Sequence, residues 1–264
     1  MKKQVKRYFA LALTFALVFA IPFAFTKEAS AASKKTKYVV TSETITYSSG
    51  TTYTTKYTYF KNGLLKSGTS TTGSQTIYTR NKKGDITSYK MKTSGGENIY
   101  ASYKYEYNKK GLPVKQYEYS EYNKLVSTYN NSFYKSGKQK ESVETLSDSN
   151  STLTYKYNKK GDPTLIRYSS GGYVTQATYS YKYDKKGNPV KAVSVDDVID
   201  GGATEKSTTT TTYKYKYDKK KNIKRADITE VTTYNDGKTR TSSRTITYKY
   251  KKVKVAKKLL RFFR

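Results

Sequence analysis

Not one of the 264 residues is cysteine, histidine or tryptophan, and only four are proline and two methionine. Without thiol or imidazole there can be no disulfide, thiolate nucleophile, zinc site built on Cys or His, imidazole base or Ser-His-Asp triad. Acidic side chains are also scarce: 20 Asp and Glu stand against 51 Lys and Arg, a formal charge of +31. What remains is carboxylate, lysine, tyrosine and hydroxyl chemistry. No paired carboxylates and no Lys-Ser constellation stand out, so no catalytic, cofactor-binding or metal-ligating residue is assigned and the chain is not read as an enzyme.

The one long apolar run lies at the start. Lys2, Lys3, Lys6 and Arg7 precede an apolar stretch over residues 8–25, and Ala29-Ser30-Ala31 follows. A cationic start, an apolar middle and an A-x-A exit make a secretory signal peptide over 1–31, cleaved after Ala31 or Ala32; the alternative is an uncleaved membrane anchor. Removing 1–31 takes away five cations and one acid and leaves +27. With no Cys for a lipobox and no sorting motif before Arg264, the expected location is secreted, extracellular or noncovalently associated with the envelope.

The rest of the chain repeats. Tyr59-Phe60-Lys61-Asn62-Gly63, Asn81-Lys82-Lys83-Gly84, Tyr107-Asn108-Lys109-Lys110-Gly111, Tyr134-Lys135-Ser136-Gly137, Tyr157-Asn158-Lys159-Lys160-Gly161, Tyr183-Asp184-Lys185-Lys186-Gly187 and Tyr217-Asp218-Lys219-Lys220-Lys221 are copies of one turn. Their glycines are 21 to 27 residues apart, room for two strands and two reversals. Asn or Asp caps the turn, lysines take its exposed corners and Gly supplies the left-handed conformation that closes a hairpin. Looser reversals fall between, as at Ser94-Gly95-Gly96 and Asn235-Asp236-Gly237.

Between turns the pattern alternates with period two, as in Tyr103-Lys104-Tyr105-Glu106-Tyr107 and Tyr213-Lys214-Tyr215-Lys216-Tyr217. One strand face therefore carries tyrosine rings and the other Lys, Thr, Ser and Glu, with Glu106, Glu118 and Glu121 expected to face solvent beside lysines. Beyond the leader 29 tyrosines stand against 31 Leu, Ile and Val, so rings must supply much of the buried area. The fold expected is all-β: an antiparallel meander of Tyr-rich hairpin repeats over 32–250, as an elongated twisted sheet or an open barrel, with a basic tail over 251–264.

Tyr183-Asp184-Lys185-Lys186-Gly187-Asn188, with weaker copies at 107, 157 and 217, resembles the YD repeats of Rhs-type bacterial surface proteins. That resemblance implies a β-hairpin array at a cell surface. Large members wrap such arrays into a shell around a toxin segment, which this chain is too short to enclose.

Charge is the strongest functional feature. A field of this size draws anionic polymers, and outside a bacterial membrane these are cell-wall polymers and anionic lipid surfaces rather than a specific nucleic acid. The residues assigned to polyanion binding are Lys109, Lys110, Lys159, Lys160, Lys185, Lys186, Lys219 and Lys220. In the tail, Val255, Ala256, Leu259, Leu260 and Phe263 share one side of a helical wheel, so Leu259, Leu260, Phe262 and Phe263 are assigned to membrane contact; the alternative is that Val253 and Val255 extend the last strand. Tyr-Lys alternation suits sugar stacking less well than packing. Asp196-Asp197-Val198-Ile199-Asp200-Gly201-Gly202 matches no calcium motif and reads as an acidic loop. The competing functional reading is an assembly module whose sheet edges pair with another protein chain.

Overall fold

The computed structural model describes residues 34–96, 98–200, 203–256 and 259. The leader at 1–31 and the tail residues Leu260, Phe262 and Phe263 lie outside the described residues. Sixteen strands follow in chain order: β1 Lys34–Tyr47, β2 Thr52–Tyr59, β3 Leu65–Ser70, β4 Gln75–Arg80, β5 Ile86–Lys92, β6 Asn98–Tyr107, β7 Pro113–Tyr119 and β8 Leu125–Phe133. The second half is β9 Gln139–Leu146, β10 Thr152–Tyr157, β11 Pro163–Ser170, β12 Tyr173–Tyr183, β13 Pro189–Asp200, β14 Ala203–Tyr217, β15 Ile223–Tyr234 and β16 Thr239–Ala256.

Each strand pairs antiparallel with the next, and β1 pairs with β16 from Lys34 against Ala256 to Tyr47 against Arg244. The sheet is a closed barrel, where the sequence left an elongated sheet or an open barrel. Closure absorbs nearly all the edges that a second chain would need. Pairing is one-sided at the rim ends of several strands, as for Tyr103–Tyr107, Tyr179–Tyr183 and Tyr248–Ala256, and at the start of β1 the ladder to β2 covers only Ser42–Thr46, so Lys34–Thr41 is paired on the β16 side alone. Side chains close that wedge. Val39, Leu64, Val255 and Leu259 are buried together, with Tyr59, Phe60 and Val253 against them, and the Tyr59 hydroxyl donates to the Val40 carbonyl.

The tight turns form as their chemistry requires. The Asn158 Oδ1 accepts from the backbone N–H of Lys160 at 2.8 Å and Asp162 at 3.1 Å, and Asp184 Oδ1 does the same for Lys186 and Asn188 at 2.8 and 2.9 Å. The fourth residue is left-handed in every copy, and in the last copy Lys221 holds φ 68° where the others have Gly.

Alternation gives the wall two faces. Tyr103 feels the charge of Glu144 three strands away, and Tyr215 that of Asp162 in the turn before β11. Three strands span about 14 Å on a flat sheet, so these side chains converge and theirs is the concave face. Lys104, Lys156, Lys182, Lys214 and Lys216 are exposed on the convex face. No strand makes a close backbone approach to any strand but its neighbours among the described residues.

Three expectations are corrected here. Strand β16 runs through Ala256, the strand alternative for Val253 and Val255, and Leu259, assigned to membrane contact, is instead 4% exposed within the seam cluster. Its burial follows from the wedge that the short β1–β2 ladder leaves open. Asp196 and Asp197 are not in a loop but in β13, where adjacent side chains point to opposite faces: Asp196 accepts from Ser194 at 3.4 Å, while Asp197 lies 3.9 Å from Lys206. In β7 the alternation is inverted. Glu118 pairs with Tyr103 and Tyr117 with Lys104, so Glu118 joins the concave face and Tyr117 and Tyr119 the convex one.

Candidate functional site: a lysine rim

A meander sends alternate connections to opposite ends, so period-two logic acts on turns as it does on side chains. All seven tight turns join an even-numbered strand to the following odd one and therefore lie on one rim. The turns are residues 60–64, 81–85, 108–112, 134–138, 158–162, 184–188 and 218–222. Together they hold 14 lysines (61, 82, 83, 109, 110, 135, 138, 159, 160, 185, 186, 219, 220 and 221) and four acids, Asp85, Asp162, Asp184 and Asp218. The opposite rim carries Lys124 and Lys238 against Glu121, Asp148 and Asp236 among the described residues. The barrel is electrically polarised along its axis.

Successive turns on the rim are two tilted strands apart, about 12 Å. That is close to the Debye length of about 10 Å at 0.1 M salt, so the fields of neighbouring turns overlap into a continuous positive band.

Tyrosine positions these turns relative to one another. In three hairpins the last tyrosine of the leading strand reaches the preceding rim turn: the Tyr183 hydroxyl donates to Asp162 Oδ2 at 2.7 Å and accepts from Asn158 Nδ2 at 2.7 Å. Tyr107 does so with Asp85 and Asn81, at 3.0 and 2.7 Å, and Tyr217 with Asp184 and Asn188, at 2.6 and 2.9 Å. Two residues earlier a second bond runs to the backbone. Tyr105 donates to the Ile86 carbonyl, Tyr181 to Pro163, Tyr215 to Pro189 and Tyr250 to Ile223, at 2.5 to 2.9 Å. Burial opposes ionisation of Asp184, but the Tyr217 hydroxyl and the Asn188 and Lys186 amides outweigh it and hold the carboxyl below its usual range. It stays charged and committed to the turn.

All eight lysines assigned from sequence are on this rim and all are exposed. They are not equivalent. Lys160 Nζ sits 3.3 Å from the centroid of Tyr183 and Lys186 Nζ 3.2 Å from that of Tyr217, while Lys220 lies 5.3 Å from Tyr38. Lys109, Lys159, Lys185 and Lys219 extend into solvent. Sequence reasoning missed Lys61, Lys82 and Lys135, which occupy the same corner as these four. The signal was available: Lys directly follows the first turn residue in all seven copies.

The concave face holds a second polar group. The Tyr129 hydroxyl lies 2.7 Å from Glu118 Oε2 and 2.8 Å from Glu144 Oε1, and Ser127 donates to the same Glu144 oxygen at 2.8 Å. Burial pushes both carboxyls above the ordinary range.

No family model and no curated protein matches the sequence. Among solved structures, a porin-like protein from Bacteroides uniformis ATCC 8492 is similar with a TM-score of 0.46 and 15% identity, over 80% of this chain and 96% of that one. A TcdB2-TccC3 structure is similar with a TM-score of 0.19 and 10% identity over 71% of this chain, and a TcdB2-TccC3-Cdc42 structure with 0.19 and 11% over 73%. This chain spans 16% and 15% of the length of those two.

Proposed function

We propose that this is an exported, non-enzymatic protein that binds anionic polymers of the bacterial envelope through its lysine rim. The observation that carries the reading is the segregation of charge, with 14 lysines against four acids on one rim and, among the described residues, no excess of cations on the other. Lysine spread evenly to keep a barrel soluble has no reason to sort by end. The convex wall supports a location in water: exposed lysines on β6, β10, β12 and β14 are incompatible with the apolar belt of a bilayer-spanning barrel.

Binding of the purified chain to isolated envelope fragments tests this. Retention is expected to fall steeply with salt and to vanish once anionic wall polymer has been stripped from the fragments. Retention that is insensitive to salt, or unchanged on stripped fragments, would count against it.

A further inference from the structure

The two corners of each rim turn differ in what they touch, and the difference recurs around the barrel. The first corner is lysine in all seven turns: Lys61, Lys82, Lys109, Lys135, Lys159, Lys185 and Lys219. All seven are exposed, and none of their ammonium groups has an ion pair, hydrogen bond or ring contact among the described residues. The second corner varies, being Asn62, Lys83, Lys110, Ser136, Lys160, Lys186 and Lys220. Where it is lysine and the next hairpin offers a tyrosine, the ammonium lies on that ring: Lys83 over Tyr107 at 3.4 Å, Lys160 over Tyr183 at 3.3 Å and Lys186 over Tyr217 at 3.2 Å. The next hairpin after Lys110 offers Phe133 at that position, and Lys110 makes no such contact among the described residues. The ring beneath each clamped lysine is the same one whose hydroxyl ties two hairpins together.

We infer that the corners have divided roles: first-corner lysines form the ligand-contacting ring, second-corner lysines brace neighbouring hairpins, and the ligand is a flexible linear polyanion that follows the rim. This rests on the polyanion reading above and narrows it. Contact points about 12 Å apart lie on an arc whose radius, for sixteen tilted strands, is about 15 Å. A duplex with a persistence length of about 50 nm cannot follow that arc and meets it at two or three corners. A single flexible chain of phosphodiesters or phosphates can reach all seven.

The test uses long-chain inorganic polyphosphate, a short DNA duplex and two charge-matched triple variants in the same three turns. One replaces Lys82, Lys159 and Lys185 by Gln, the other Lys83, Lys160 and Lys186. Each lost contact on a single chain removes about 0.7 from the slope of log K against log salt. The first triple is expected to lower the polyphosphate slope by about 2 and leave the thermal midpoint unchanged. The second is expected to keep the slope within about 1 of the parent and to lower the midpoint. The parent's slope should be steeper for polyphosphate than for duplex. Equal loss of binding in both triples, or a duplex slope as steep as that of polyphosphate, overturns the divided roles while leaving polyanion binding intact. Absence of parent binding at low salt removes both readings. If the second triple is too unstable to purify, Lys→Arg at the same three positions keeps a cation on each ring and is expected to match the parent in slope and midpoint; a loss of slope there would overturn the assignment.

Discussion

Tyrosine does in this barrel what aliphatic side chains usually do, and alkali exposes the difference because a phenol ionises and a leucine does not. Burial pushes Tyr89, Tyr157 and Tyr179 up to about 12, with nearby Glu118 adding to the effect at Tyr89 and Asp196 at Tyr179. Tyr103, Tyr129, Tyr155, Tyr215 and Tyr248 are pushed further in the same direction, chiefly by burial and then by neighbouring carboxylates or rings. An unfolded tyrosine ionises near pH 10. The native state therefore disfavours the phenolate, and the stability these rings contribute is complete below pH 10 and lost as pH climbs toward 12.

Near pH 11 a ring with a native value of 12 has forfeited about 1 kcal/mol, somewhat less for the more exposed Tyr89. Three such rings alone remove about 3 kcal/mol, and those held higher each remove at least as much. A domain is typically stable by about 5 to 15 kcal/mol. The barrel should therefore unfold cooperatively between pH 10 and 11, with phenolate absorbance rising more steeply than a single-proton titration. Far-ultraviolet circular dichroism should lose its β signal over the same interval. Gradual ionisation centred on pH 10 with the β signal intact would show that the rings are wet and that the tyrosine face is not the core.

Three further outcomes follow from individual sites. Replacing Lys221 with Gly relieves a side chain held at φ 68° and is expected to stabilise the barrel by about 1 kcal/mol in urea denaturation. Leu259→Ala removes a buried side chain from the wedge between β1 and β2 and should cost about 2 to 4 kcal/mol, with faster amide exchange at Val39 and Val40. Glu144→Gln keeps the oxygen that accepts from Ser127 and Tyr129 while removing a carboxylate that burial disfavours. A raised carboxyl stabilises the fold while protonated and loses that contribution as pH rises through its native value, so the Gln variant should gain about 1 kcal/mol at neutral pH and match the parent in acid.

The strand-and-turn architecture was readable because both of its signals are local. Asn158-Lys159-Lys160-Gly161 states its own turn, and Tyr179-Ser180-Tyr181-Lys182-Tyr183 states its own alternation. Closure was not readable, since it depends on the long pairing of β1 with β16 across the whole chain, and nothing within Lys34–Tyr47 names its partner. The inversion in β7 was hidden for a related reason. Tyr117-Glu118-Tyr119 has the same composition rhythm as its neighbours, but register is set by its pairing with β6, which puts Glu118 opposite Tyr103. The rim lysines were legible as residues and not as two populations. Lys159 and Lys160 are identical in sequence terms and are separated only by Tyr183, 23 residues onward.

The two ends of the barrel differ in the regularity of their connections as well as in charge. Bonds from Tyr107, Tyr183 and Tyr217 fix successive hairpins against each other at the lysine rim, whatever the length of the strands between. Strands range from six residues in β3 to 18 in β16, and the far connections from two residues after β11 to five after β9. Every connection at the lysine rim is five residues long, while the extra length of β16 runs past the start of β15 on that same side, where Tyr248–Ala256 pair with β1 alone. On the proposed reading, charges presented at regular spacing suit the end whose turns are all of one length, and that is where the seven first-corner lysines stand.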